Sequence, residues 1–169
     1  MKKLFALMIA LCLLGSVAMA DDLVWEGEIA EKASQIDGEF HSFDEIAVKI
    51  WMPAVLKELE LSDEDKEEGF IGYFETEDKS SAVSVVYVDM DGMTLEDYET
   101  QLKDNGAEEI EPGTVNGLSC LSYLIKEKDT ACLAFTTEKG YILEVSAAPF
   151  SDEGFQSTLA FVLSSIQAE

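Results

Sequence analysis

Arginine is absent from this sequence of 169 residues, and histidine occurs once, at position 41. The first absence removes the planar five-donor fork with which proteins grip phosphate and carboxylate groups. With 35 acids against 11 lysines the formal charge is −24, so nucleic acid and anionic lipid headgroups would both be repelled, and neither is expected as a partner. A single histidine excludes paired-histidine zinc sites such as the metalloprotease helix motif. A serine–histidine mechanism would have to use His41, and the chain has no G-x-S-x-G elbow to present its serine. Gly69-Phe70-Ile71-Gly72 lies inside a strand pattern with no following helix and lysine, which excludes a phosphate-binding loop there. No pair of cysteines has C-x-x-C spacing, so thiol–disulfide exchange is not expected. Nothing in this inventory calls for a cofactor.

The one long apolar run stands at the start. Lys2 and Lys3 precede an apolar stretch at 4–14, too short to cross a bilayer as a helix, and Ala18-Met19-Ala20 puts small residues where a signal peptidase reads. The pattern predicts a cleavable secretory signal over residues 1–20, cut between Ala20 and Asp21, and a secreted or extracytoplasmic product, residues 21–169, forming one domain. Cys12 follows Leu11 within the run, whereas a lipoprotein signal needs a small residue just before its cysteine. No later segment approaches a membrane span, so no stable membrane anchor is expected. Cleavage removes two lysines and no acid, leaving 149 residues with a formal charge of −26, enough chain to bury a real core. The acids are densest at 63–68 and in Glu108-Glu109-Ile110-Glu111; such runs read first as solvated faces and second as a surface for cations.

Strand periodicity begins at 46–52, where Ile46, Val48, Ile50 and Met52 alternate up to Pro53, which cannot continue a ladder. Residues 70–74 and 82–88 form the next pair, separated by Glu77-Asp78-Lys79-Ser80. The second of these is apolar on both faces, Val83, Val85 and Tyr87 against Ala82, Val86 and Val88, which predicts a central strand covered from both sides. Thr94 with Asp97 three residues on forms a capping-box pattern, Leu95, Tyr98 and Leu102 share one face, and Asn105-Gly106 supplies a helix stop. Asn116-Gly117, residues 126–130 and Glu138-Lys139-Gly140 punctuate strands at 118–125, 131–137 and 141–147, and connections this short force antiparallel hairpins. After Pro149 a final helix carries Phe155, Leu159, Val162 and Ile166 on one stripe. The expected fold class is α+β, an antiparallel sheet with helices packed on it.

This order resembles the Mog1/PsbP-like α/β/α sandwich. The matching features are the strand ending in Pro53, the hairpin after it, the helix from Thr94 to Gly106, the hairpin led by Asn116-Gly117, the Gly140-Tyr141-x-Leu143 strand, and a terminal helix closing on Ser164-Ser165-Ile166. The resemblance spans residues 37–167. It implies a scaffold for binding without a shared catalytic set, and it carries no functional residue onto a position of this chain. The leader resembles a bacterial secretory signal and not a plastid transit peptide, which argues against the photosynthetic role of some members.

The remaining chemistry is sparse. His41, between Phe40 and Ser42, reads as a packed or half-exposed structural histidine. Asp89 and Asp91 of Asp89-Met90-Asp91-Gly92 are calcium candidates at a strand-to-helix handover. An EF-hand loop needs three acidic or amide positions before its glycine and this segment has two, so turn chemistry is the expected reading and no metal is expected. Asp63-x-Asp65-x-Glu67 alternates suitably but has Glu68 where glycine is required. Trp25 and Trp51 offer a sugar-stacking platform or, as the expected reading, packing on the second face of a strand. Cys120 and Cys132 form a candidate disulfide in an exported protein. Both are expected on one face, with Leu121, Tyr123, Ile125, Leu133 and Phe135 on the other. A three-residue turn at Glu127-Lys128-Asp129 sets Cys120 opposite Thr136, roughly 13 Å from Cys132 at strand rise. A bond needs Cα atoms within about 7 Å, so a bridge demands a longer loop or a strand break, and buried thiols are the alternative.

These readings converge on an exported, acidic, non-enzymatic binding or accessory domain whose partner is an unidentified protein or small ligand. The alternative is a secreted glycan-directed hydrolase using a carboxylate pair. That reading requires two carboxylates about 5 to 9.5 Å apart in a cleft beside an exposed tryptophan.

Overall fold

The computed structural model describes residues 23–44, 46–136 and 141–169. The leader, with Ala20 and Asp21, and the Glu138-Lys139-Gly140 turn lie outside the described residues. Helix α1 (Glu28–Ala33) leads into the hairpin of β1 (Gly38–Phe43) and β2 (Val48–Pro53), and β3 (Leu56–Glu58) follows after two residues. Next come helix α2 (Asp63–Glu67), β4 (Phe70–Thr76), β5 (Ala82–Asp89) and helix α3 (Leu95–Asp104). Strands β6 (Glu108–Val115), β7 (Leu118–Ile125), β8 (Thr130–Thr136) and β9 (Tyr141–Ala148) precede helix α4 (Glu153–Ser164) and the short β10 (Gln167–Ala168).

The strands form two antiparallel sheets, a seven-stranded one in the order β3-β4-β5-β9-β8-β7-β6 and a three-stranded one in the order β1-β2-β10. The small sheet and α4 cover one face of the large sheet. Phe43, Val48, Ile50 and Met52 meet Phe74, Val83, Val85, Leu143 and Val145 there, and Leu159, Val162 and Ile166 fill the gap from α4 and its end. Each fully buried side chain of this size contributes about 1.5–3 kcal/mol through lost contact with water. On the opposite face α3 covers Leu121, Tyr123, Cys132, Ala134 and Ile142 with Leu102, Tyr98 and Leu95. The arrangement is an α+β sandwich, as the sequence pattern predicts. Among the described residues no helix is long and apolar enough to cross a membrane.

Strand β5 is flanked by β4 and β9, and its two apolar faces serve the two cores: Val83 and Val85 enter the first, Val88 the second. The capping box at Thr94 forms in full, with the Thr94 side chain accepting from the Asp97 N–H and the Asp97 carboxylate accepting from the Thr94 backbone.

Two expectations need correction, and the two acid runs, mostly exposed as expected, gain an element each. Ile46 stands outside β2, because Ala47 takes a positive φ of 50° in the turn from β1 and the ladder starts at Val48. The acid run at 108–111 is part of β6, an edge strand, and the run at 63–68 holds α2, whose Asp65 carboxylate caps against Ser62. The β7–β8 connection holds four residues, a 3-10 turn at Lys126–Lys128 and then Asp129 at φ 51°, so Ile125 pairs with Thr130 and Cys120 pairs with Phe135 instead of Thr136. A shift of one position flips every side chain to the other face. Cys120 therefore packs in the first core and Cys132 in the second, on opposite sides of the sheet.

Candidate functional site

A cleft of about 420 Å³ opens where β1 passes β3. Gly38 brings the chain into position: a Cβ there would stand 2.4 Å from Cζ2 of Trp51, so only glycine lets β1 lie this close to the indole. Strand alternation then turns Glu39, His41 and Phe43 to the side away from Phe40. Phe43 enters the core, and the His41 ring sets its edge against Phe74 with centroids 4.9 Å apart. Met52, Pro53 and Leu56 are buried and give the cleft an apolar floor. Two carboxylates stand at its mouth, Oε2 of Glu58 3.6 Å from Nδ1 of His41 and Oε1 of Glu39 4.0 Å from Nε2. Their side chains are 59% and 82% exposed, while that of His41 is 25% exposed.

A second polar group lies beneath α3. Tyr98 donates its hydroxyl to Oε2 of Glu144 at 2.9 Å, and Tyr123 donates to the same oxygen. Glu144 occupies β9 between Leu143 and Val145, and the Cys132 thiol lies close enough to feel its charge. Burial first, and the Glu144 charge second, push the two phenols and the Cys132 thiol well above their ordinary values. All three hold their protons at neutral pH. The phenols act as donors that satisfy the Glu144 carboxylate by hydrogen bonding, and Cys132 is a poor nucleophile.

The sequence candidates distribute as follows. His41 is half-buried at the cleft wall. Trp51 is buried and packs on Phe161 and Ala33, with Trp25 against it at 5.8 Å; it supports the second face of β2 and does not line the cleft. Asp89 accepts from the Asp91 N–H at 3.0 Å, and Asp91 at φ 55° and Gly92 at φ 78° complete a turn. The Asp89 charge raises Tyr141, its ladder partner. Among the described residues no cluster of three metal-ligating side chains occurs. Cys120 and Cys132 are both buried thiols, not joined by a disulfide.

Sequence reasoning missed Glu39 and Glu58, which meet His41 only through the fold. It also missed Glu144, although a lone acid in an apolar strand was a visible signal. Asn116 is more than a turn residue. Its Oδ1 accepts from the Trp25 N–H at 2.6 Å, and its Nδ2 donates to the carbonyls of Ser164 and Ile166 at 2.8 and 2.7 Å.

No family model and no curated protein matches the chain. Among solved structures, that of cyanobacterial PsbP (CyanoP) from Synechocystis sp. superposes with a TM-score of 0.58 at 14% identity, over 93% of this chain and 99% of that one. The fold is Mog1/PsbP-like. The Saccharomyces cerevisiae Ran-binding protein Mog1p aligns with a TM-score of 0.42 at 8% identity, over 79% of this chain and 96% of that one. In this chain the β1–β3 cleft joins a strand of the small sheet to the edge of the large one, and the Tyr98–Tyr123–Glu144 group sits on the opposite face, under α3.

Proposed function

We propose that residues 21–169 form an exported, acidic accessory domain that binds a partner at the β1–β3 cleft and catalyses no reaction. One observation carries the reading: the cleft combines a buried apolar floor with polar groups that fix orientation, the usual make-up of a binding site. Its polar groups are poorly suited to catalysis. Among the described residues no cysteine, serine or threonine lines it beside His41, so the imidazole has no side-chain nucleophile there to activate. Nor does the cleft favour a glycan hydrolase. A general acid for sugar hydrolysis works from an apolar pocket, whereas Glu39 and Glu58 are largely in water, and among the described residues no tryptophan lines the wall. Export rests on the leader at 1–20 and the Ala18-Met19-Ala20 site, and the high negative charge suits a soluble product with little attraction for nucleic acid or anionic membranes.

The test is capture of partners from the producing cell's culture supernatant and envelope, using wild type and Ala54→Trp. Ala54 is exposed at the cleft, and an indole there would fill it. A partner retained by wild type and lost by the variant is expected. Equal retention by both, or turnover of a glycan by wild type that the variant loses, would overturn the reading.

A further inference from the structure

We infer that the cleft receives a lysine or arginine side chain from an extended segment of a partner protein, which pairs with the outer edge of β1; this rests on the cleft being the binding site.

The first argument is the shape of the charge. Met52, Pro53 and Leu56 line the inner cleft, Lys57 stands on its wall, and the two carboxylates of Glu39 and Glu58 at its mouth outnumber that one lysine. An apolar stem ending in a cation matches this sequence of surfaces, the stem on the floor and the head between carboxylates. Among the described residues His41 is the one cationic partner given to either carboxylate, and it lies at 3.6 and 4.0 Å, beyond a good hydrogen bond. A formal charge of −24 draws a cationic segment in and disfavours a second copy of this chain as the occupant.

The second argument is the edge itself. Edge strands normally carry a defence against pairing. β6 has Pro112 and a bulge between Glu108 and Glu111, with Glu109 at φ 54°. β3 has three residues and β10 two. β1 has six residues in unbroken register with β2 and neither proline nor bulge. A strand added to β1 would place alternate side chains on the His41 side, toward the cleft. Among the described residues the exposed apolar side chains of Ile36, Val55 and Leu59 lie within two positions of β1 or β3, whereas Phe40 faces the other side of β1, against Trp25.

The experiment uses fluorescein-labelled, acetyl- and amide-capped Val-Thr-Arg-Val-Thr-Val, its citrulline analogue, and an analogue N-methylated on alternate amides, read by anisotropy at low and physiological salt. The arginine peptide is expected to bind, and citrulline and Glu39→Gln/Glu58→Gln each to weaken it about tenfold or more, the value of a charge-assisted hydrogen bond. N-methylation is expected to abolish binding. Glu64→Gln/Glu67→Gln, on α2, controls for general attraction to an acidic protein. Equal losses from the two double variants, equal binding of arginine and citrulline peptides, binding that survives N-methylation, or a β1-dependent homodimer in sedimentation would each overturn the inference. Absence of peptide binding alongside a partner lost by Ala54→Trp would overturn this inference and leave the cleft as the binding site. Absence of both would overturn the two together.

Discussion

Asn116→Ala should loosen three parts of the chain at once. The Asn116 side chain accepts from the Trp25 N–H and donates to the Ser164 and Ile166 carbonyls, while its backbone N–H donates to the Leu23 carbonyl at 2.7 Å. It thereby joins the N-terminal segment, the β6–β7 turn and the end of α4. Three side-chain hydrogen bonds at about 1 kcal/mol each give roughly 3 kcal/mol, and water reaching this half-buried site recovers some of it. Alanine must also hold φ at 48°, a left-handed conformation costing an ordinary residue about 1–2 kcal/mol. The expected loss is about 2–4 kcal/mol, which for a chain of this length lowers Tm by roughly 5–15 °C. Urea titration followed by tryptophan fluorescence reads it directly, because Trp25 packs on Trp51 and Phe40. Asn116→Asp sharpens the test. It keeps the acceptor for Trp25 but sets a carboxylate against two carbonyl oxygens. At neutral pH it should be at least as unstable as the alanine variant, and it should recover relative to wild type as acid protonates it and restores a donor. A change below about 0.5 kcal/mol for both variants would refute the account, since it would put Asn116 in the range of ordinary surface substitutions.

Three further outcomes are expected. Tyr123→Phe removes a buried donor from Glu144 and should destabilise by about 1.5–3 kcal/mol in urea titration, non-additively with Tyr98→Phe because both phenols serve one oxygen. Native protein of residues 21–169 should react slowly with a thiol reagent near neutral pH, and Cys120 and Cys132 should both become reactive in denaturant without any reductant, because both are buried and Cys132 is held in its protonated form; a single mass consistent with a bridge would contradict this. Asp78 accepts from the hydroxyls of Ser80 and Thr76 and the Ser80 N–H, which hold its carboxyl down to about 2. Since the folded value lies below the ordinary 3.8, this turn's stabilisation is present above that value and is lost as pH falls through about 2. Carboxyl NMR should show Asp78 titrating near there, and Thr76→Val/Ser80→Ala should return it to the ordinary range.

The strands with clean alternation were legible because period two and turn residues are local properties. Residues 82–88 announced an interior strand, and α3 announced its own start through Thr94 and Asp97. β6 was not legible, because an edge strand open to water keeps its acids and loses the apolar rhythm. The cysteine faces were misread because one additional residue in the β7–β8 turn reverses the parity of everything beyond it. Sequence periodicity reports which residues repeat, and the turn geometry that sets register is fixed by a few torsions such as the positive φ of Asp129.

The candidate site divides the same way. That His41 would be structural or half-exposed, and that Trp51 would pack a second face, could be argued from neighbours along one strand. That Glu58 would meet His41 could not, since it depends on the chain turning after β2 so that β3 passes β1. Likewise the isolated acid Glu144 was visible in the text of β9, but its two phenols come from 46 and 21 residues away. By itself, then, the sequence determined the α+β class, the hairpins, the helix caps and the absence of arginine, all set by local composition and spacing. Tertiary structure alone decided which carboxylates share a cleft with the histidine, which strand edge stays open, and on which side of the sheet each thiol lies. Those outcomes depend on register and on sheet-to-sheet packing, where residues far apart in the chain compete for the same few ångströms.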